Sequence, residues 1–186
     1  MSSTTRMRAA IVGATGIAGQ QFIDALRHHP WFEITVLAAS ERSAGKSYGD
    51  ALRDAKSGAV RWWCAEAPPA EVTRLPVVAG SDFDPCSVDV VFSAIESEPA
   101  RELEPRWAAA RPVFSTASAY RYEEDVPLLI PGLGAQGGDL AALKGSGRKA
   151  PLLVNVSRGI TAANDDLTFG ARAEMWKRKI AEALSV

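Results

Sequence analysis

The alternation of apolar and polar positions changes period several times along this chain, and each change predicts an element. Residues 7–12, MRAAIV, read as a short buried strand. GATGIAG follows at 13–19 and leads into QQFIDALRHHP. There Ile17, Phe22, Ile23 and Leu26 fall near helical spacing, and Pro30 stops the helix. FEITVLAAS at 32–40 is a second strand. Strand, glycine-rich turn, helix and strand in about 30 residues make a βαβ unit with a parallel strand pair.

Residues 41–58 are polar and rich in Gly, Ser, Lys and Arg, and are expected to form a long loop. VRWWCAEAPP and LPVVAG read as short strands or irregular surface. SVDVVFSAI at 87–95 is nearly continuous in apolar residues, as a strand covered on both faces should be. A helix at about 98–110 carries Pro99 in its first turn and is expected to kink at Pro105. PVFSTAS at 112–118 and VPLLI at 126–130 are further strands, and residues 132–149 form a glycine-rich connection holding one short helix. LLVN at 152–155 is the last strand. In the helix at 171–184, Trp176, Ile180 and Leu184 repeat at four-residue steps, so one face is apolar.

This pattern predicts an α/β fold: a Rossmann-like, doubly wound, mostly parallel sheet in a single domain. Residues 1–150 are expected to form the dinucleotide-binding domain, and residues 151–186 to complete or cap it with the final strand and helix. A chain of 186 residues with 47% hydrophobic and 23% charged residues can bury a proper core. The net charge of −1 argues against broad attraction to nucleic acid or anionic membrane. No run is long enough to cross a bilayer, and the N-terminus does not read as a signal peptide. Cys64 and Cys86 lack CxxC spacing and are expected to be reduced thiols, packed as small apolar residues in a cytoplasmic protein. His28 and His29 end the first helix, where a partly charged imidazole is favourable, and no metal site is expected.

The glycine triplet adds chemistry. Gly13, Gly16 and Gly19 lie directly between a strand and a helix. They permit a tight turn and let the backbone approach a pyrophosphate resting on the helix N-terminus. The plainer alternative is a glycine turn that packs helix on strand. At the end of the second strand stand Ser40, Glu41, Arg42, Ser43 and Lys46. Ser40, Arg42, Ser43 and Lys46 suit a ribose 2′-phosphate, so NADP is expected over NAD. Glu41 suits it only if turned away, and Glu41 and Lys46 also fit a solvated loop of mixed charge.

Several ordered stretches carry a family likeness: VGATGIAGQQFIDAL, HHPWFEITVLAASERSAGKSYGDA, DVVFSAIESEPARELE, PVFSTASAYR and DVPLLIP. Over residues 7 to about 131 the chain resembles the aspartate-semialdehyde dehydrogenases of the fungal and archaeal type. That superfamily also includes malonyl-CoA reductase and the N-acetyl-glutamyl-phosphate reductases. The resemblance implies NADPH-dependent reduction of an acyl phosphate to an aldehyde, through a cysteine thioester and a histidine in a second domain. By position it implies that Gly13, Thr15, Gly16, Ile17 and Ala18 form the pyrophosphate loop. Ser40, Arg42 and Ser43 would form the 2′-phosphate pocket, and Ser93 and Ala94 the strand end beside the nicotinamide ribose. Arg121 would grip the substrate phosphate with its planar fork of donors.

The chain departs from that pattern where chemistry is expected. Thr116 stands where the family usually has Asn, and PGLG at 131–134 where it tends to carry an acid and an Asn. Aligned on Asn155, the turn reads Asn-Val-Ser-Arg-Gly, which puts Arg158 in the place of the nucleophilic cysteine. Arginine cannot form a thioester, and Ser157 has no partner histidine in view. Only 28 residues follow Arg158, too few for the family's second domain. The expectation is therefore a dinucleotide-binding protein with no catalytic residue of its own. A partner or a second copy would take the surface that the missing domain normally covers, or the Trp176 helix face. A short-chain reductase is disfavoured: Tyr48, Tyr120 and Tyr122 are followed, at the spacing of a Tyr-Lys pair, by Leu52, Glu124 and Val126. A non-redox biosynthetic step using the cofactor or Arg121 is the remaining enzymatic alternative.

Overall fold

MRAAIV becomes the central strand of a five-stranded sheet because it is apolar on both faces. Successive side chains of a strand point to opposite sides, and here both sides are covered. In the computed structural model, which describes residues 5–130, 149–156, 158–161 and 166–184, the chain falls into two units, Met1–Ala119 and Tyr120–Val186. In the first, β1 (Met7–Val12) is flanked by β2 (Phe32–Ala39) and β4 (Val90–Ser93). The outer strands are β3 (Val77–Ala79) and β5 (Val113–Ser115), giving an all-parallel sheet of order β3-β2-β1-β4-β5. The expected doubly wound, Rossmann-like architecture is present.

Two apolar layers flank the sheet. Ala9 and Ile11 face Ile23 of α1 (Ile17–Ala25), together with Leu37, Tyr48, Val72 and Phe92. Ala10 and Val12 face the opposite layer, where Trp107 of α4 (Ser97–Ala108) packs with Phe83, Val88 and Val91. α4 runs through Pro105. LPVVAG supplies β3, whereas VRWWCAE forms no strand, and only Val60 pairs, in an isolated bridge with Arg53.

The stretch 41–58 departs from its expected loop. It contains a short helix, α2 (Tyr48–Ala51), capped by the Ser47 side chain, which accepts from the Asp50 N–H. Tyr48, Ala51 and Leu52 are buried. Another short helix, α3 (Ala70–Thr73), buries Val72.

The second unit holds a parallel pair, β6 (Leu128–Ile130) with β7 (Leu152–Val154). The last strand thus hydrogen-bonds to the strand at 128–130 rather than to the five-stranded sheet. α5 (Arg158–Thr161) and α6 (Phe169–Leu184) follow, and Arg172 Nη1 donates to the Ile160 carbonyl at 3.0 Å. The short helix expected within 132–149, the PGLG stretch and the Ser157 turn lie outside the described residues. No helix among the described residues is long and apolar enough to cross a membrane.

Candidate functional site

Sheet order decides where a ligand can sit. Connections leave β1 and β4 toward opposite faces, so their carboxyl ends diverge into a crevice at the point where strand order reverses. The loops after β1 and β4 meet there. Gly13 N–H and Ala14 N–H both donate to the Ala38 carbonyl, at 2.9 and 3.0 Å, and Ala94 N–H donates to the Val12 carbonyl at 2.8 Å. Gly13 has φ +81°, in the left-handed region, and a Cβ there would run into the carbonyl of Ala94. A Cβ on Gly19 would strike Gly13 and Ala14. Both positions need glycine for backbone to lie on backbone.

Gly16 differs from both. It is exposed, its nearest obstacle is the Gly13 carbonyl at 3.3 Å from an added Cβ, and it is the N-cap of α1 with no side-chain cap. No acidic residue stands in the first turn. The positive end of the α1 dipole and its first N–H groups are therefore left to an anion. Thr15 is half-buried, and Ile17 and Ala18 are exposed around this end. Of the three glycines Gly16 is the exposed one, and an added Cβ there would be crowded less severely than at Gly13 or Gly19.

At the end of β2 the chain makes a tight turn: Ser43 N–H donates to the Ser40 carbonyl at 2.8 Å. Ser40 and Arg42 are exposed, and Ser43 is buried. Arg42 takes part in no hydrogen bond or ion pair among the described residues. Glu41 is turned toward the loop after β3, where it accepts from Ser81 Oγ at 2.9 Å. That arrangement removes the objection to a phosphate here, since the one carboxylate of the turn is engaged elsewhere.

At β4 the structure alters the picture of Ser93. Its side chain is fully buried, and Oγ donates to Glu104 Oε1 at 2.7 Å. Ser115 Oγ donates to the same oxygen at 2.6 Å. Glu104 is only 4% exposed, so a carboxylate of α4 ties the ends of β4 and β5 from beneath. Ser93 contributes backbone to the crevice, and its hydroxyl is spent. Ala94 is half-buried and abuts Gly13. Arg121 lies in the second unit, exposed on a turn. Arg158 begins α5.

Two residues that sequence reasoning passed over grip the glycine loop from inside. Tyr48 Oη donates to the Ala14 carbonyl at 2.7 Å, and Gln20 Nε2 donates to the Thr15 carbonyl at 3.1 Å. Both side chains are fully buried. Burial raises the Tyr48 phenol far above its usual range, so it remains a donor. The thiols differ from the expectation of two buried small residues: Cys86 is exposed and Cys64 half-buried. Cys64 Sγ lies 3.3 Å from Gln21 Nε2 and 3.5 Å from the Gln20 carbonyl. Burial, then the charge of Asp24, pushes its pKa up, the opposite of an activated nucleophile. Among the described residues, no group of three or more His, Cys, Asp and Glu side chains could hold a metal ion.

Comparison with known proteins shows what the chain is similar to. Aspartate-semialdehyde dehydrogenase of Archaeoglobus fulgidus is 46% identical over 127 residues, which cover 68% of this chain and 34% of that protein. The Saccharomyces cerevisiae enzyme of the same name is 38% identical over 139 residues, 73% of this chain and 35% of the enzyme. The crystal structure of aspartate-semialdehyde dehydrogenase with NADP from Candida albicans superposes with a TM-score of 0.60 at 33% identity. That match covers 84% of this chain and 45% of the other. The chain thus spans about a third of the length of these curated relatives. Residues 8–137 match the family model described as "Semialdehyde dehydrogenase, NAD binding domain", and the chain belongs to that family.

Proposed function

We propose that this chain is an NADP(H)-binding domain of the aspartate-semialdehyde dehydrogenase type that does not, by itself, reduce an acyl phosphate. The observation that carries the reading is the crevice between β1 and β4, with an uncapped helix end at Gly16 and a turn after β2 whose cation is exposed. Gly13, Thr15, Gly16, Ile17 and Ala18 hold the pyrophosphate. Ser40 and Arg42 take the 2′-phosphate, Ser43 closes their turn, and the Ser93–Ala94 backbone lines the nicotinamide end. The cofactor, when bound, supplies hydride-transfer chemistry, and the protein's part is to bind and orient it. Arg121 is assigned to a substrate phosphate.

Incompleteness rests on the nucleophile. Position 158 is arginine, which cannot form a thioester. Burial and the charge of Asp24 push the Cys64 pKa up, away from an activated nucleophile. A partner of different sequence would have to supply the nucleophile, since a second copy carries the same arginine at 158. The second unit offers an apolar groove of about 560 Å³ between β7 and α6, lined by Leu152, Val154, Ile160, Trp176, Ile180 and Leu184. Two unpaired thiols suit a reducing, cytoplasmic setting.

Titration of NADPH and NADH by fluorescence tests the cofactor assignment. Binding in the micromolar range that prefers NADPH, and that Arg42→Ala weakens about 10-fold for NADPH but not for NADH, is the expected result. No binding at millimolar cofactor would overturn it. Turnover of aspartate semialdehyde with NADP and phosphate by this chain alone would overturn the claim of incompleteness.

A further inference from the structure

A pyrophosphate loop binds through N–H groups, so the directions of its peptide planes decide its affinity. A trans peptide is planar, and its N–H points opposite to the preceding carbonyl. Whatever holds a carbonyl inward therefore turns the next N–H outward. In this loop two successive carbonyls are held in this way. The Ala14 carbonyl accepts from Tyr48 Oη at 2.7 Å, and the Thr15 carbonyl accepts from Gln20 Nε2 at 3.1 Å.

The consequences for the two N–H groups differ. Gly16 N–H, following the Thr15 carbonyl, donates to the Gly13 carbonyl at 3.0 Å and closes the turn. Thr15 N–H, following the Ala14 carbonyl, donates to no acceptor among the described residues. It is directed away from the buried Tyr48 ring.

Neither grip is incidental. Tyr48 belongs to the short α2, in sequence 34 residues from Ala14, and its ring is wholly inside the layer beneath α1. Gln20 makes three hydrogen bonds to backbone through its amide, using both N–H donors and one side of the oxygen. Nε2 donates also to the Arg61 carbonyl at 2.8 Å, and Oε1 accepts from the Trp63 N–H at 2.7 Å. An amide so engaged cannot rotate without breaking three bonds.

We propose that Tyr48 and Gln20 are positioning residues for cofactor binding: they lock the Ala14 and Thr15 carbonyls inward, and so present the Thr15 N–H and the open end of α1 to the pyrophosphate. This rests on the NADP-binding reading above. Neither residue touches the cofactor. Their effect is to remove alternative loop conformations that binding would otherwise have to suppress.

The test compares two probes, NADPH and adenosine 2′-monophosphate, which carries the 2′-phosphate but no pyrophosphate. Tyr48→Phe keeps the ring and removes only the hydroxyl. It is expected to weaken NADPH binding about 10-fold, the loss of one buried hydrogen bond, and to leave the monophosphate affinity unchanged. Arg42→Ala should weaken both probes. Gln20→Met, which keeps side-chain length, is expected to repeat the Tyr48→Phe pattern and serves if Tyr48→Phe fails to fold. Unchanged NADPH affinity in a folded variant, or equal losses for both probes, overturns the proposal while the cofactor reading stands. A wild-type chain that does not bind NADPH overturns that reading itself, and the positioning role with it.

Discussion

Ser93 donates its hydroxyl proton to Glu104 at 2.7 Å, with both side chains withdrawn from solvent. The pair joins the last residue of β4 to a helix that packs beneath it, and Ser115 adds the end of β5 through the same carboxylate oxygen. The ends of β4 and β5 are thereby tied to one carboxylate of α4.

Glu104→Ala would leave the buried Ser93 hydroxyl and the more exposed Ser115 hydroxyl without this acceptor and open a cavity. It is expected to lower stability by about 2–4 kcal/mol, read by urea denaturation. Glu104→Gln keeps an acceptor oxygen and is expected to cost about 1 kcal/mol. Equal stability of the alanine variant and the parent would remove the argument for the tie.

Gly13 and Gly45 separate two reasons for glycine. Both have positive φ, +81° and +79°, but an added Cβ meets the Ala94 carbonyl at Gly13 and nothing within 4 Å at Gly45. Gly45→Ala is expected to cost about 1 kcal/mol, from backbone strain alone. Gly13→Ala adds a clash with backbone that cannot step aside, and about 3 kcal/mol or more is expected. Thermal unfolding of the two variants side by side gives the comparison.

The cysteines should separate by reactivity. Cys86 is exposed, whereas Cys64 is half-buried with a pKa pushed up by burial. Only the thiolate reacts. With iodoacetamide near pH 8, Cys86 is expected to be modified about 5-fold faster, as followed by mass spectrometry of peptides. Because the raised pKa delays deprotonation, the Cys64 rate should go on climbing above pH 8.5, where an ordinary thiol begins to level off. Faster modification of Cys64 would contradict the environment described for it.

The central sheet was legible because MRAAIV, FEITVLAA and VVFS are short, largely apolar runs rich in β-branched residues, bounded by turn residues, as doubly covered strands are. The glycine loop was legible because strand, turn and helix adjoin it directly. Tyr48 was not. α2 has four residues, too few for periodicity to show, and its aromatic anchor is surrounded in sequence by Lys46, Ser47, Gly49 and Asp50. Gln20 and Glu104 are polar residues within helical stretches, and nothing in their neighbouring sequence marks them as buried. Their partners lie 41 and 43 residues away for Gln20, at Arg61 and Trp63, and 11 away for Glu104, at Ser93 and Ser115. Long-range polar contacts leave no local pattern. Ser93 was placed correctly at the end of its strand, but nothing local says which way a hydroxyl turns. The pairing of 152–154 with 128–130 also escaped, since two three-residue apolar strands fit either sheet equally well.

The Gln20 amide reaches the Arg61 carbonyl and the Trp63 N–H, deep within the long excursion that separates β2 from β3. That excursion adds no strand to the sheet, yet it is stapled to the helix that carries the glycine loop. A motion that turns the Gln20 amide away would break its contacts with the Trp63 N–H and the Thr15 carbonyl together, which links this stretch to the glycine loop through a single side chain.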